Sequence, residues 1–294
     1  MKKGEKHDET DVIVRLDAVK IKADEFRKEA FKQLAGYSRA YNYFIPGGDE
    51  RFYNRVSQYV NEKTGMKIGV SHDRVHSFLP PCLVTMTPCD RTGMQRSQLE
   101  EVLAILPNFR FLKVEIAHDF SANSVVNRSF TLKHLMVGKS QRRQDPEHPN
   151  RINFGSRKSP VFARAYLKSE INSFRIELEF HREWLVKFGI KTTKDFLKLP
   201  ELIARRHIAF YKIDSLKLSA ALARLKVPLA STLRRVIARE DDLYAALHYL
   251  RHTVRLRNTL RVLTPLATNG RVERALRRWS HEWKRQGKSD DKVA

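Results

Sequence analysis

The chain has only two cysteines in 294 residues, Cys82 and Cys89 within "PPCLVTMTPCD". Neither their number nor their spacing supplies a zinc-ligand set or a disulfide framework, so a reducing, cytoplasmic setting is expected. Long apolar runs are missing too. No stretch reaches the roughly 18 apolar residues of a membrane-spanning helix, so a membrane is not an expected partner. The opening "MKKGEKHDETDV" has no apolar segment behind its lysines, and a secretion signal is not expected. Acidic residues are few: 33 Asp+Glu stand against 56 Lys+Arg, a formal net charge of +23 with a pI near 10.2. Such an excess favours a polyanion, of which nucleic acid is the usual one. An anionic membrane surface or a ribosome meets the same criterion, so charge alone does not choose.

Several catalytic signatures are absent as well. "HDRVH" and "HYLRH" place His72 with His76 and His248 with His252 four apart, but neither has the glutamate that a zinc protease carries after its first histidine. No histidine–apolar–histidine triplet occurs. The segment "NFGSRKS" lacks the second glycine and the GK[ST] of a Walker loop.

What remains is a globular composition, 41 % hydrophobic and 30 % charged, in a chain long enough for one substantial core and a smaller second unit. "DVIVRLDAV" alternates as a half-buried strand, and "ADEFRKEAFKQLAG" has helical spacing with Gly36 as its stop. "IPGGDE" reads as a hairpin turn, "CLVTMTP" and "FRFLKVEIAHDF" as strands, and "QRSQLEEVLAILPN" as a helix. After Pro200 helical spacing takes over, in Leu243, Leu247, Leu250 and Val254 and again in Val272, Leu276, Trp279 and Trp283. Residues 191–294 hold 24 Lys+Arg and 10 Asp+Glu, a net +14, which leaves +9 for the first 190. The expected organisation is a catalytic unit over 1–190 and a basic, mostly helical, DNA-holding region over 191–294. The tail "GKSDDKVA" reads as frayed. The two tryptophans sit at core spacing, so the last helix is expected to dock on its own domain.

Two strands carry the chemistry. In 161–168, Val161, Ala163, Ala165 and Leu167 alternate with Phe162, Arg164, Tyr166 and Lys168; in 174–181, Phe174, Ile176, Leu178 and Phe180 alternate with Arg175, Glu177, Glu179 and His181. "SEINS" between them has hairpin length. With the apolar faces together, Tyr166 falls opposite Glu177 or Arg175, depending on register, and either way within about 8 Å of Glu177. Interleaved charges on an exposed hairpin face would give the same pattern without any chemistry. A tyrosine nucleophile, however, needs cations or a metal to favour its phenolate, and carboxylates to hold a divalent ion. Ser156, Arg157, Lys158 and Ser159 add donors for phosphate. In "LKVEIAHDF", Glu115 and Asp119 share a strand face about 13 Å apart, so only one of them would join a common metal site unless a bulge intervened.

These segments resemble a known family. "INFGSRKSPVFARAYLKS" is similar to the glycine-serine-arginine-lysine-serine segment and following tyrosine-x-lysine of the replication initiation factors of rolling-circle plasmids and phages, a superfamily that includes relaxases of integrative conjugative elements. "KVEIAHDF" resembles its strand with two acidic residues, and "SFRIELEF" its arginine-x-glutamate strand, in the family's order over residues 109–181. Leu167 and Glu115 depart from the family's usual acidic residue and aspartate, and the first 100 residues show little that matches. The resemblance implies an α+β fold with an antiparallel catalytic sheet. It implies Tyr166 as the nicking nucleophile and Glu177, Glu115 and Asp119 as ligands for Mg²⁺ or Mn²⁺. Arg157, Lys158, Arg164, Lys168 and Arg175, with Arg251 and Arg255 four apart on one helix flank, are the expected DNA contacts. The implied activity is nicking of one strand at an origin, leaving a 5′-phosphotyrosyl link and a 3′-OH primer. The expected partner is origin DNA, single-stranded at the nick, with a host helicase and a second copy of the chain as further candidates. The alternatives are a conjugative-element relaxase and a non-catalytic DNA-binding protein on the same scaffold. A basic RNA- or ribosome-associated protein is the third.

Overall fold

The computed structural model describes residues 12–25, 27–44, 52–89, 92–138, 142–145, 148–225, 228–239 and 241–287. In chain order, strand β1 (Val12–Ala23) is followed by helix α1 (Lys28–Lys32) and by β2 (Tyr37–Phe44), β3 (Tyr53–Asn61), β4 (Lys67–Arg74) and β5 (Cys82–Thr87). Helix α2 (Arg96–Ala104) precedes β6 (Arg110–Ser121), α3 (Arg128–His134), β7 (Leu135–Met136), β8 (Arg142–Gln144) and β9 (Ile152–Phe154). The hairpin β10 (Val161–Lys168) and β11 (Ser173–His181) leads to α4 (Arg182–Lys187), α5 (Leu199–Arg206) and β12 (Ala209–Ile213). Then come α6 (Ser215–Arg224), α7 (Leu229–Ile237), α8 (Leu243–His252), β13 (Leu263–Pro265) and α9 (Thr268–Gln286).

The fold is α+β. Among the described residues ten strands make one sheet in the order β2-β3-β4-β5-β1-β6-β11-β10-β9-β8, and a small sheet runs β13-β12-β7. The pairings in the large sheet are antiparallel, so each strand can bury one face and leave the other for chemistry. On the buried face, Leu16, Val114, Ile116, Ile176, Leu178 and Ala165 pack with Val272, Leu276, Trp279 and Trp283 of α9. The indole N–H of Trp283 donates to the Thr193 carbonyl at 3.0 Å. Thus α9 docks on its own protein. Among the described residues no helix is long and apolar enough to cross a membrane.

The elements after residue 190 divide between two cores. Phe196, Leu199, Ile203, Phe210 and α9 join the core of the large sheet, whereas α6, α7 and α8 close around Leu218, Leu222, Val236, Leu243, Leu247 and Leu250. Two local expectations need correction, and two fall outside the described residues. The helix expected over 23–36 shrinks to α1, because β1 runs on to Ala23 and Gly36, at φ +76°, turns the chain into β2. Arg251 and Arg255 do not share a helix flank: α8 stops at His252, and Arg255 lies beyond it at φ +59°. The amide of Leu256 returns to the Leu250 carbonyl at 2.9 Å, which folds Val254 into the second core and ends the helical path. "IPGGDE" and all but the first residue of "GKSDDKVA" lie outside the described residues.

Candidate active site

Strands β1, β6, β11 and β10 are neighbours, and their polar positions share the face turned away from α9. In register, Tyr166 lies opposite Arg175 and Arg164 opposite Glu177; across β11, Arg175 faces Asp119, Glu177 faces Ala117 and Glu179 faces Glu115. Of the two registers open to the hairpin, this one is selected by the turn: a 3₁₀ segment, Ser169–Ile171, ends at Asn172 with φ +47°. The Tyr166 hydroxyl donates to Oε1 of its diagonal neighbour Glu177.

Asp17, Glu115 and Glu177 offer carboxylate oxygens that all lie within 4.8 Å of one another. Asp17 escapes the sequence reading, and the reason is a β-bulge. Leu16 pairs with Ile116 and Ala18 with Glu115, so Asp17 is the extra residue, aimed at the polar face. The available signal was a slip of phase in "VRLDAVKI": Leu16 and Val19 are both fully buried although three positions apart, which strict alternation forbids. Ala117, opposite Glu177, is a methyl in a row of long side chains and leaves room between the carboxylates. Asp119 is not one of the three. It accepts from Arg175 Nε at 2.6 Å and Nη2 at 3.0 Å, and from Arg15.

The cations divide by depth. Arg175, expected to hold DNA, is instead 0 % exposed. Its strand is flanked on both sides, and its guanidinium binds Asp119 and Asp17, the latter at 2.9 Å. Arg164 is partly exposed; its Nε bonds Glu177, and its two Nη atoms approach Glu115 at 3.4 Å and Glu179 at 3.5 Å. Lys113 pairs with Glu115. Lys168 is half-buried at the strand end. Arg157 and Lys158 are exposed on a tight turn closed by Ser159 N–H to the Ser156 carbonyl at 2.8 Å, entered through Gly155 at φ +83°, a conformation that favours glycine. Arg251 and Arg255 are exposed in the helical region. A cation the sequence reading missed is Arg151, just before β9, whose guanidinium lies 5.2 Å from the centroid of the Tyr166 ring.

Electrostatics follow from this crowding. Burial pushes the Asp17 carboxyl up to about 6, with Glu177 and Glu115 adding to the shift and Arg175 opposing it. Burial also raises Glu115, against the pull of Lys113. For Glu179 burial acts upward but is outweighed by His181, Lys113 and Arg164, which hold it below the usual range. The Tyr166 phenol is raised well above its ordinary value, by burial first and then by the charge and hydrogen bond of Glu177. The phenolate is therefore disfavoured unless positive charge is added beside it.

No protein-family model matches the sequence, and no curated protein matches it. Among solved structures, a rolling circle replication initiator protein from Geobacillus stearothermophilus is similar at 15 % identity, over 68 % of this chain and 87 % of that one, with a TM-score of 0.45. At that level the likeness carries no argument about this chain's activity.

The donor set itself fits a hard divalent cation: three carboxylates, close enough to share one ion, with Asp17 raised chiefly by burial and further by Glu177 and Glu115. Asp17, Glu115 and Glu177 are the residues that would hold Mg²⁺ or Mn²⁺. The histidine pairs lie elsewhere. His72 hydrogen-bonds Ser57 Oγ at 3.0 Å across β3 and β4, and the His248 ring lies tilted against that of His252 along α8 with centroids 4.3 Å apart.

Proposed function

We propose that the chain nicks one strand of DNA at a replication origin, as a rolling-circle initiator, with Tyr166 as the nucleophile. The observation that carries this reading is the Tyr166 hydroxyl bonded to Glu177 inside a cluster of three carboxylates. Tyr166 Oη attacks the scissile phosphorus while its proton passes to Glu177, the group that already accepts it. The bond from phosphorus to the 3′ oxygen breaks, that oxygen takes up a proton, and the products are a 5′-phosphotyrosyl link and a 3′-OH. A bound Mg²⁺ or Mn²⁺ supplies positive charge that polarises the scissile phosphate. Arg151 over the ring and Arg164 beside Glu177 add cationic charge that favours the phenolate. Arg157 and Lys158, on the turn before β10, and Lys168, at the strand's other end, would hold the single-stranded phosphates. In this reading labour is divided: sheet strands carry the chemistry, and the basic region after residue 190, with Arg251 and Arg255, holds DNA. A host helicase and a second copy of the chain are the further partners it allows. The same transesterification serves a conjugative-element relaxase, so the reading covers both.

A second reading is a non-catalytic DNA-binding protein on this scaffold. It is favoured by Arg164 and Lys113, which already pair with Glu115, Glu177 and Glu179. Incubating a supercoiled plasmid bearing the cognate origin with the protein and Mn²⁺ separates the two. Nicking should leave open circles with protein bonded to the 5′ end after denaturation, and Tyr166→Phe should do neither while binding the origin within a few-fold. Undiminished cleavage by that variant removes Tyr166 from its role; binding without cleavage by the wild type selects the second reading.

A further inference from the structure

Helices α6 and α7 are separated by four residues, Leu225 to Pro228. The Asp214 carboxylate caps α6, accepting from the amides of Leu216 at 3.1 Å and Lys217 at 3.0 Å. Pro228, at φ −58° and without an N–H, stands at the start of α7. One side of each helix is sequestered: Leu218 and Leu222 of α6 and Val236 of α7 pack with Leu243, Leu247 and Leu250 of α8. Two helices on a short link, closed by a third over a shared core, are the parts from which a helix-turn-helix is built, a motif whose second helix is presented to the major groove of duplex DNA.

The free side of α7 has the matching chemistry. Ala230, Ser231, Arg234 and Arg235 are all exposed, and residues 229–239 contain three arginines and no acidic residue. Ser231, Arg234 and Arg235 stand three and four apart, so they project together. Ala230 and Ser231 are small enough to let their side of the helix approach the bases, and an arginine fork matches the two acceptors of guanine. The unit is fastened to the large sheet. Arg142 of β8 pairs with Asp242, the cap of α8, and the Val137 amide donates to the Tyr244 hydroxyl at 3.1 Å. The Tyr244 ring lies 5.9 Å from that of Phe154 on β9, the strand bonded to the one that carries Tyr166.

We infer that α6 and α7 form a helix-turn-helix that reads duplex sequence, with Ser231, Arg234 and Arg235 reaching the base edges. This goes beyond the nicking reading and does not depend on it, since a chain unable to cleave would still select a duplex. The test is selection from a pool of random-sequence duplexes by the full chain, in EDTA so that no strand is cut. The wild type and Tyr166→Phe should enrich the same sequence. Replacing Arg234 and Arg235 together with alanine should reduce preference for that duplex over a scrambled one by about ten- to a hundredfold. The melting curve should be unchanged, because both side chains are exposed. Arg235→Lys should lose preference at one base pair yet keep the salt dependence of binding, and Ser231→Ala should shift preference at a single position. Absence of any enriched sequence with the wild type overturns the inference. So does the same sequence selected with equal preference by the double-alanine variant, or single-stranded RNA outcompeting the selected duplex.

Discussion

Asp17 and Asp119 both bind Arg175, yet the structure gives them different work. Asp17 belongs to the carboxylate cluster, whereas Asp119 compensates a guanidinium that no solvent reaches. Glu177→Gln and Asp17→Asn should each shift the Mn²⁺ titration of nicking to higher metal, by at least tenfold, because a neutral amide is a poor ligand for a hard cation. Identical curves for wild type and Glu177→Gln would make Glu177 a strand-face charge only. Asp119→Asn should act through stability, costing about 3–5 kcal/mol in a urea melt, as expected when a buried ion pair loses one partner. His118, on the buried face of β6, gives a pH signature of its own. Burial lowers its pKa to about 4 from an ordinary 6.5, against the pull of the Ile176 carbonyl. The unfolded chain then binds more protons between those values, so stability is full above about pH 6.5 and is lost as pH falls toward 4, by about 3 kcal/mol. The difference between wild type and His118→Leu in urea midpoints from pH 7 to 4 should isolate this loss; parallel profiles would refute it.

At the scale of elements, what the sequence showed depended on length and periodicity. β5, β6, β10 and β11 have clean alternation or unbroken apolar character and were legible, and so was the shared face of Glu115 and Asp119. The bulge in β1 was not, because one inserted residue looks like ordinary imperfection unless the partner strand is known. Without it Asp17 had no reason to join Glu115. Strands of two or three residues, such as β7 and β9, carry no period, and Arg151 went unnoticed with them. α9 was legible as a docking helix from its tryptophan spacing, and it supports a prediction. Trp283 is 2 % exposed, bonds the Thr193 carbonyl and stacks on Phe196 with centroids 5.6 Å apart. Trp283→Ala should cost about 3–5 kcal/mol in denaturant, whereas the exposed Arg277→Ala should be near neutral. Equal effects would mean that α9 is not part of the sheet's core.

For the whole molecule, two kinds of positive charge act on stability, and they can be separated. The net +23 repels itself, so added NaCl should raise the melting temperature modestly by screening. In the proposed reading the clustered carboxylates of β1, β6 and β11 gain instead from a compact cation within the cluster, which diffuse screening cannot provide. A ligand that binds only the folded state stabilises it by about 2.7 kcal/mol at a hundred times its dissociation constant. In a chain of this size that corresponds to a rise of several degrees. Millimolar Mn²⁺ should therefore raise the melting temperature beyond NaCl of equal ionic strength, in the absence of DNA and in the Tyr166→Phe variant as well. With Asp17→Asn the excess should vanish while the NaCl effect persists, since one exchanged side chain hardly alters the total charge. Equal melting temperatures in the two salts for the wild type would mean that Arg164, Arg175 and Lys113 already satisfy the cluster, and that its carboxylates hold strands together and not an ion.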